Sequence, residues 1–336
     1  QAGVVVGAVP LTYIPLGLFS GAFVDRIGPG RSLALGAVVY GGAQAGRSMA
    51  AGFPSLLVLT LALGIGATAI TFGLPKLVST LFPAGETGLP SSIYLVAASL
   101  GTALAFGLGR PTLGPALGGW RPLFLWSGLL AVGYGVGWYL LARLAGVDAR
   151  VTDGAETFSV ASVGADLRRV LANRPLQWLV VVGTMFLLVN HGLQGWLPTV
   201  LEGRGLSSDL AGQTTTLYVV AYAVGIFTVP PVADRLASRQ LMVSLSGLAI
   251  AAGIGGLVVG AAGPVALAGI AVAGLGAGGL SPLIRAMPPE LDGVGPELTA
   301  TAVGFIFAVG ELGGFLGPVM VGTLRDLTGT FLPGLA

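Results

Sequence analysis

The sequence contains no cysteine and only one histidine among its 336 residues. Without cysteine there is no disulfide framework, no thiolate metal site and no cysteine nucleophile. A single histidine does not make a histidine metal cluster either. We therefore predict that the protein holds no metal and no cofactor.

Charged residues are scarce as well: they make up 9% of the chain, whereas hydrophobic residues make up 54%. An average soluble domain has about 25% charged residues. The apolar excess must therefore face lipid, which predicts an all-α, multi-pass protein of the cell membrane. The preference for arginine over lysine is typical of a prokaryote with a GC-rich genome. The basic residues lie in short loops rather than in one patch, so we expect no nucleic-acid partner.

Ten segments have the roughly 20 apolar residues that a membrane-spanning helix needs. They comprise residues 4–24, 32–51, 55–81, 88–109, 121–143, 177–199, 211–233, 240–261, 264–286 and 299–321. One longer and more charged connection divides them five and five. We expect an N-terminal helical half over 1–143, a linker over 144–176 and a C-terminal helical half over 177–336.

The distribution of arginine and lysine favours a cytoplasmic linker, because basic residues are enriched in cytoplasmic loops. Ten spans then place both ends of the chain outside. Since the chain also begins within an apolar run, we interpret it as a fragment that lacks one helix at each end.

A glycine–proline pattern at the end of the fourth span returns at the end of the tenth, where Gly114-Pro115 becomes Gly317-Pro318. Two copies of one helix pattern in two halves are typical of secondary transporters. The pattern indicates a bend that seals the transport path, or else close helix packing. The predicted helix-bend residues are Gly101, Arg110, Gly114, Pro115, Gly118, Gly119, Gly317 and Pro318.

A loop pattern after the first span, from Gly21 to Arg31, also has a degraded copy at the end of the seventh, from Pro230 to Arg239. It resembles the loop signature of the major facilitator superfamily, with Pro29 and Gly30 where that family has basic residues. The glycine–proline pattern resembles the family's fifth-helix signature. The pairs Gly64-Ile-Gly66-Ala67 and Gly274-Leu-Gly276-Ala277 match its fourth and tenth helices.

This resemblance implies a bundle of two pseudo-symmetric halves in which the ten spans are helices two to eleven of twelve. It also implies that the loop copies latch the halves together. The alternative is that these residues anchor the loop by positive-inside charge, but topology alone does not require the carboxylate. The predicted gating residues are Gly21, Asp25, Arg26, Gly28, Arg31, Asp234, Arg235 and Arg239.

The function implied by the resemblance is secondary active transport of a small solute by alternating access, coupled to H⁺. Parts of the sequence are similar to the cyanate and nitroimidazole permease branch. A drug/proton efflux antiporter remains an alternative, as does a transporter-like receptor or inactive remnant. The sequence has no HExxH, no GxSxG and no Asp-rich magnesium motif, so we do not expect an enzyme.

Polar groups within the spans are the candidate functional residues, because a charge at membrane depth costs a few kcal/mol. Glu311 lies in mid-span and is the candidate for proton coupling, together with His191; a Glu at the water-exposed mouth and a structural His are the alternatives. The candidate substrate-binding residues are Asn190, Gln194, Tyr218, Tyr222 and Gln44. Packing with internally bonded hydroxyls explains the tyrosines equally well.

Lys76 and Arg285 lie near the inner ends of spans that the repeat matches. The preferred interpretation is that both side chains extend to the lipid headgroups. The alternative is that they attract an anionic substrate or pair with the acidic residues of the gating loops.

Overall fold

The computed structural model describes residues 1–83, 86, 88–150, 168–169, 171–236, 238–260, 262–291, 294 and 296–335. Within these ranges, the side chains of residues 18–22, 25, 88, 92, 150 and 296–301 are outside the description.

Ten long helices account for most of the described residues, which confirms the all-α membrane fold. Their bounds are α1 Ala2–Ile27, α2 Pro29–Arg47, α3 Phe53–Leu81, α4 Gly88–Leu104, α5 Trp120–Leu144, α6 Arg174–Gly203, α7 Ser208–Arg235, α8 Arg239–Val259, α9 Pro264–Ala286 and α10 Pro296–Thr328. A short helix, α11, covers Leu332–Leu335.

Eight of the described helices, α3 to α10, are long and apolar enough to cross a membrane; for α4 the apolar segment runs on to Ala116. The other two helices are α1, whose searched apolar part is Ala2–Gly17, and α2. The sequence of α2 contains two arginines, a glutamine and several glycines, which dilute its apolar residues.

Polar side chains cap the N-termini of three helices in the C-terminal part, α6, α7 and α8. The side chain of Asn173 accepts a hydrogen bond from the Leu176 N–H at 3.1 Å. Ser207 and Ser238 do the same for the first turns of α7 and α8. Each cap satisfies a backbone donor that has no partner within its own helix.

Contacts group the chain into two compact units. The first contains α1 to α3, the start of α4 and α5, and in it α2 packs against α3 and α5. The second contains residues 98–113 and α6 to α10. In this second unit α6 packs against α10, and α9 packs against both α7 and α8.

Matching glycines bring the helices of each unit into close contact. In the first unit, a Cβ on Gly66 would lie 2.6 Å from the carbonyl oxygen of Gly36 in α2. In the second, a Cβ on Gly276 would lie 2.7 Å from the carbonyl oxygen of Ser246 in α8. Small residues allow this approach between membrane helices. The duplication and the boundaries at 143 and 177 stay a prediction, with which these paired contacts agree.

Gly276→Ala should lower the free energy of unfolding by about 1–3 kcal/mol, because the methyl group has to displace the backbone of α8. The matched control is Gly247→Ala in α8, where an added Cβ meets no atom within 4 Å; it should be neutral or stabilise by up to about 1 kcal/mol through helix propensity. Thermal unfolding of the detergent-purified variants measures both. Equal melting temperatures would contradict a packing role for Gly276.

Candidate functional site

Three of the predicted substrate-binding residues meet in the second unit. The Tyr218 hydroxyl of α7 donates a hydrogen bond to Asn190 Oδ1 of α6 at 2.8 Å, and Gln194 Nε2 donates to the same oxygen at 3.1 Å. Tyr218 is 1% exposed and Asn190 is 8% exposed. Asn190 and Gln194 are one helical turn apart and therefore share a face. The cluster thus joins two helices through one amide oxygen.

The other polar candidates lie around this cluster or away from it. Tyr222 places its ring centroid 6.4 Å from that of Tyr218. His191 Nδ1 lies 3.1 Å from the carbonyl oxygen of Leu187 in its own helix. Gln44 belongs to the first unit, where its side chain bonds Ser127 Oγ at 3.3 Å and Arg47 Nη1 at 3.0 Å. The functional roles of these residues stay predictions.

Glu311 lies in the middle of α10 and is 8% exposed. Its Oε2 atom makes no hydrogen bond with the part of the chain that the structure describes. The neighbouring Gly310 and Gly313 face α6, where an added Cβ would meet Leu187 and the Thr184 carbonyl oxygen. Glu311 is therefore buried next to a close helix contact rather than placed on an open, exposed surface.

The Arg285 side chain turns back along α9 instead of extending past the end of the helix. Its Nη1 donates to the carbonyl oxygen of Ser281 at 2.9 Å and to Ser281 Oγ at 2.5 Å. The guanidinium carbon lies 4.0 Å from the centre of the Phe307 ring in α10. Ser281 is one turn closer to the helix middle. The extension of Arg285 and Lys76 to the headgroups stays a prediction.

The first gating loop is tied to an acidic residue that sequence reasoning missed. The Gly30 N–H donates to Asp148 Oδ1 at 2.7 Å, and Arg31 Nε lies 3.6 Å from Asp148 Oδ2. Gly28 precedes α2 with a positive φ of 89°, which a glycine adopts without strain. Asp148 thus places a negative charge at the N-terminus of α2, where the helix dipole favours it.

The predicted latch residues Gly21 and Asp25 have side chains outside the described residues, and Arg26 is exposed.

The second gating loop is also held by an acid outside the motif. Arg239 Nη2 lies 3.2 Å from Asp234 Oδ1, and Arg239 Nη1 lies 2.5 Å from Glu290 Oε1. Arg239 also donates to the carbonyl oxygen of Ala286 at 2.9 Å. It therefore connects the end of α7 with the turn that follows α9, whereas Arg235 is exposed.

The helix-bend residues of the first copy divide between a distorted helix and a turn. α4 continues as a π-helix over Ala105–Leu113 and then as the α-helical turn Gly114–Ala116, which contains Pro115. Pro111 has no N–H and its ring clashes with the carbonyl four residues earlier, which favours the wider π register. Gly118 and Gly119 have φ values of 87° and 128° and reverse the chain before α5. An added Cβ on Gly101 would meet no atom within 4 Å.

Arg110 in this π-helical segment makes an ion pair that the sequence did not indicate. Its Nη2 lies 2.7 Å from Glu202 Oε2 at the end of α6.

In the second copy of the glycine–proline pattern, Gly317 packs against the carbonyl oxygen of Leu188. The carbonyl of Pro318 accepts a hydrogen bond from Trp196 Nε1 at 2.9 Å. Close packing is thus observed at Gly317; the sealing role stays a prediction.

Long apolar helices with buried polar groups at mid-helix are those of a multi-pass membrane protein. The chain belongs to the Major Facilitator Superfamily, whose model matches residues 1–318. It is a transporter of small solutes in the plasma membrane and not an enzyme.

Several named transporters are similar over most of the chain. A gallate transporter of Pseudomonas putida is 27% identical over 92% of this chain and 74% of its own. A 3-(3-hydroxy-phenyl)propionate transporter of Escherichia coli is 29% identical over 98% and 79%. A putative tartrate transporter of Agrobacterium vitis is 24% identical over 99% and 77%.

Solved structures show the same fold. The E. coli fucose:proton symporter matches with a TM-score of 0.68 at 17% identity, over 100% of this chain and 86% of that one. A bacterial homologue of the human lysosomal transporter Spinster matches with a TM-score of 0.74 at 18% identity, over 97% and 76%.

Asp148→Ala should lower the free energy of unfolding by about 0.5–2 kcal/mol, the usual cost of losing a helix cap. Asp148→Asn should recover most of this loss, because an amide oxygen still accepts the Gly30 N–H. Arg31→Gln should change little, since the Arg31 side chain is 66% exposed and exposed ion pairs contribute little. Thermal unfolding compares the three; an Asn variant as unstable as the Ala variant would show that charge, not capping, matters.

Tyr218→Phe should lower the free energy of unfolding by about 0.5–1.5 kcal/mol, because it removes a buried hydrogen bond to Asn190. Tyr134→Phe in α5 makes the same chemical change at an exposed position and should have no measurable effect. Unfolding of both variants in the same detergent is the test. The structural role of the Tyr218 hydroxyl is refuted if the two variants behave alike.

Proposed function

We propose that this protein is a proton-coupled secondary transporter that moves a small organic anion across the plasma membrane by alternating access. The observation that carries the proposal is the buried Glu311, with one carboxylate oxygen unbonded among the described residues. An ionised carboxylate at membrane depth costs a few kcal/mol, so a protonated form is favoured there. A group that gains and loses its proton at this position can couple transport to a proton gradient.

The names of three relatives support an organic anion as the substrate. They are described as transporters of gallate, tartrate and 3-(3-hydroxy-phenyl)propionate. Each of these compounds is a carboxylate with at least one hydroxyl group. A site for such compounds needs a cation for the carboxylate and neutral polar groups for the hydroxyls.

The second unit supplies both kinds of group. The guanidinium of Arg285 is the cation, held above Phe307. The amides of Asn190 and Gln194 and the hydroxyl of Tyr218 form a bonded neutral cluster. Hydrogen-bonding groups of this kind can exchange their mutual bonds for bonds to substrate hydroxyls.

Glu311→Gln in the full-length protein should abolish proton-driven accumulation of radiolabelled gallate, tartrate or 3-(3-hydroxyphenyl)propionate in proteoliposomes. Exchange of the same compound without a gradient should persist, because glutamine resembles the protonated acid in shape and charge. The matched control is Asp326→Asn on the same helix, an exposed carboxylate paired with Arg325, which should accumulate substrate normally.

Two results would contradict the proposal in different ways. Proton-driven accumulation by the Glu311→Gln variant would show that another group couples the proton. Failure of the wild-type protein to transport any of the three acids would show that the substrate class is wrong.

A further inference from the structure

Two arginines lie at the end of the first unit where α2 ends and α5 begins. Arg121 Nη1 and Nη2 donate to the carbonyl oxygens of Ser48 and Ala50 at 3.0 and 3.1 Å, which closes the C-terminal end of α2. Arg47 Nη1 donates to Gln44 Oε1 at 3.0 Å. Both guanidinium groups are thus held in place by uncharged oxygens.

Two aromatic rings of α5 connect these arginines. The guanidinium carbon of Arg47 lies 4.7 Å from the centre of the Phe124 ring, and that of Arg121 lies 4.8 Å from the Trp120 ring. The two rings are themselves 5.3 Å apart. Trp120 is 46% exposed and Arg121 is exposed. Arg47 and Arg121, here called the arginine pair, therefore form a basic and aromatic surface that a ligand can reach.

The arginine pair has no acidic counter-charge among the residues that the structure describes. In the described part of the first unit, the acidic side chains are Glu86 and Asp148. Both lie at the opposite end, since Asp148 caps the start of α2 and Glu86 follows the end of α3. Arg47 Nε is buried and has no described acceptor. Positive charge that is partly withdrawn from water and has no carboxylate attracts an anion from outside the chain.

A cavity of about 570 Å³ lies beside the arginine pair, between α2, α3 and α5. Its lining on α5 runs from Ser127 to Trp138, a length of about 16 Å at the helical rise. At the Ser127 end, the hydroxyl accepts a hydrogen bond from Gln44, the residue that also holds Arg47. Most of the remaining wall is apolar and includes Leu33, Leu74, Leu77 and Leu130. The cavity is thus polar at one end and apolar along its length.

We propose that the arginine pair and this cavity bind one anionic phospholipid, with its phosphate on the arginines and one acyl chain in the cavity. A free phosphate or a small organic anion would use the cations but leave the apolar length of the cavity empty. The exposed side chains of Leu130 and Tyr134 open the cavity towards the surface of the unit, so a chain can enter from the bilayer. The site lies within the first unit and does not depend on the proposed function.

The chemistry of the arginine pair favours a headgroup with a net negative charge. A guanidinium binds phosphate oxygens through several N–H donors at once. Two cations without a described acid suit phosphatidylglycerol, whereas the ammonium group of phosphatidylethanolamine offsets its own phosphate. Trp120 belongs at the same level, because tryptophan is enriched where the headgroups meet the acyl chains.

The test measures the affinity of phosphatidylglycerol for the full-length, detergent-purified protein by native mass spectrometry. The wild-type protein should retain phosphatidylglycerol in preference to phosphatidylethanolamine. Arg47→Gln should lower the affinity for phosphatidylglycerol at least about fivefold, as expected when one basic residue near an anionic headgroup is lost. Arg47→Lys should recover part of this loss. The matched control is Arg143→Gln, which removes the same charge from an exposed position at the other end of α5 and should match wild type.

A second variant tests the acyl chain. Ala131 lines the cavity, so Ala131→Phe should fill part of it and lower the affinity for phosphatidylglycerol. Val136→Phe adds a ring at an exposed position of the same helix and should not. Melting temperatures without added lipid show whether each variant is folded. Added phosphatidylglycerol should raise the melting temperature of wild type more than that of Arg47→Gln or Ala131→Phe.

Three results would overturn the inference. Wild type could bind phosphatidylglycerol no better than phosphatidylethanolamine, or folded Arg47→Gln could bind it as well as Arg143→Gln does. Soluble glycerol 3-phosphate or gallate could instead stabilise wild type as strongly as phosphatidylglycerol and lose this effect in Arg47→Gln, which would make the site one for a soluble anion. Each of these results leaves the proposed function, which concerns the second unit, unaffected.

Discussion

The close contact between α6 and α10 is the constraint on which the candidate site depends. Lipid offers no hydrophobic driving force for helices to associate, so membrane helices rely on packing that small residues permit. Gly313 and Gly317 face the backbone carbonyls of Thr184 and Leu188, where no side chain fits. This seam fixes the rotation of α10, and with it the burial of Glu311 beside Gly310.

Polar groups in the second unit are stabilised in two different ways. Asn190, Gln194 and Tyr218 satisfy one another, so that the cluster is neutral and costs little to bury. Arg285 is instead a charged group whose guanidinium stacks on Phe307 of α10 and bonds Ser281 of its own helix.

The gating loops of both units use an acidic residue from a distant part of the chain. Asp148 caps α2 and faces Arg31, and Glu290 faces Arg239. In each case the acid stands just after a long helix rather than within the loop motif. Acidic residues that follow a long helix thus fix each loop to its own unit, in addition to the contacts that the motif residues make themselves.

The sequence by itself determined the membrane class, the ten helical segments and the family, because apolar length, composition and short motifs are local properties of the chain. It also made Glu311, Asn190, Gln194 and Tyr218 candidates, since polar residues stand out in apolar helices. Only the tertiary structure decided their partners. The contact of Asp148 with Gly30, the ion pair of Arg110 with Glu202 and the stacking of Arg285 on Phe307 depend on helix rotation. Nearly uniform apolar helices carry little periodic signal from which rotation could be read, so packing at a few glycines sets it instead.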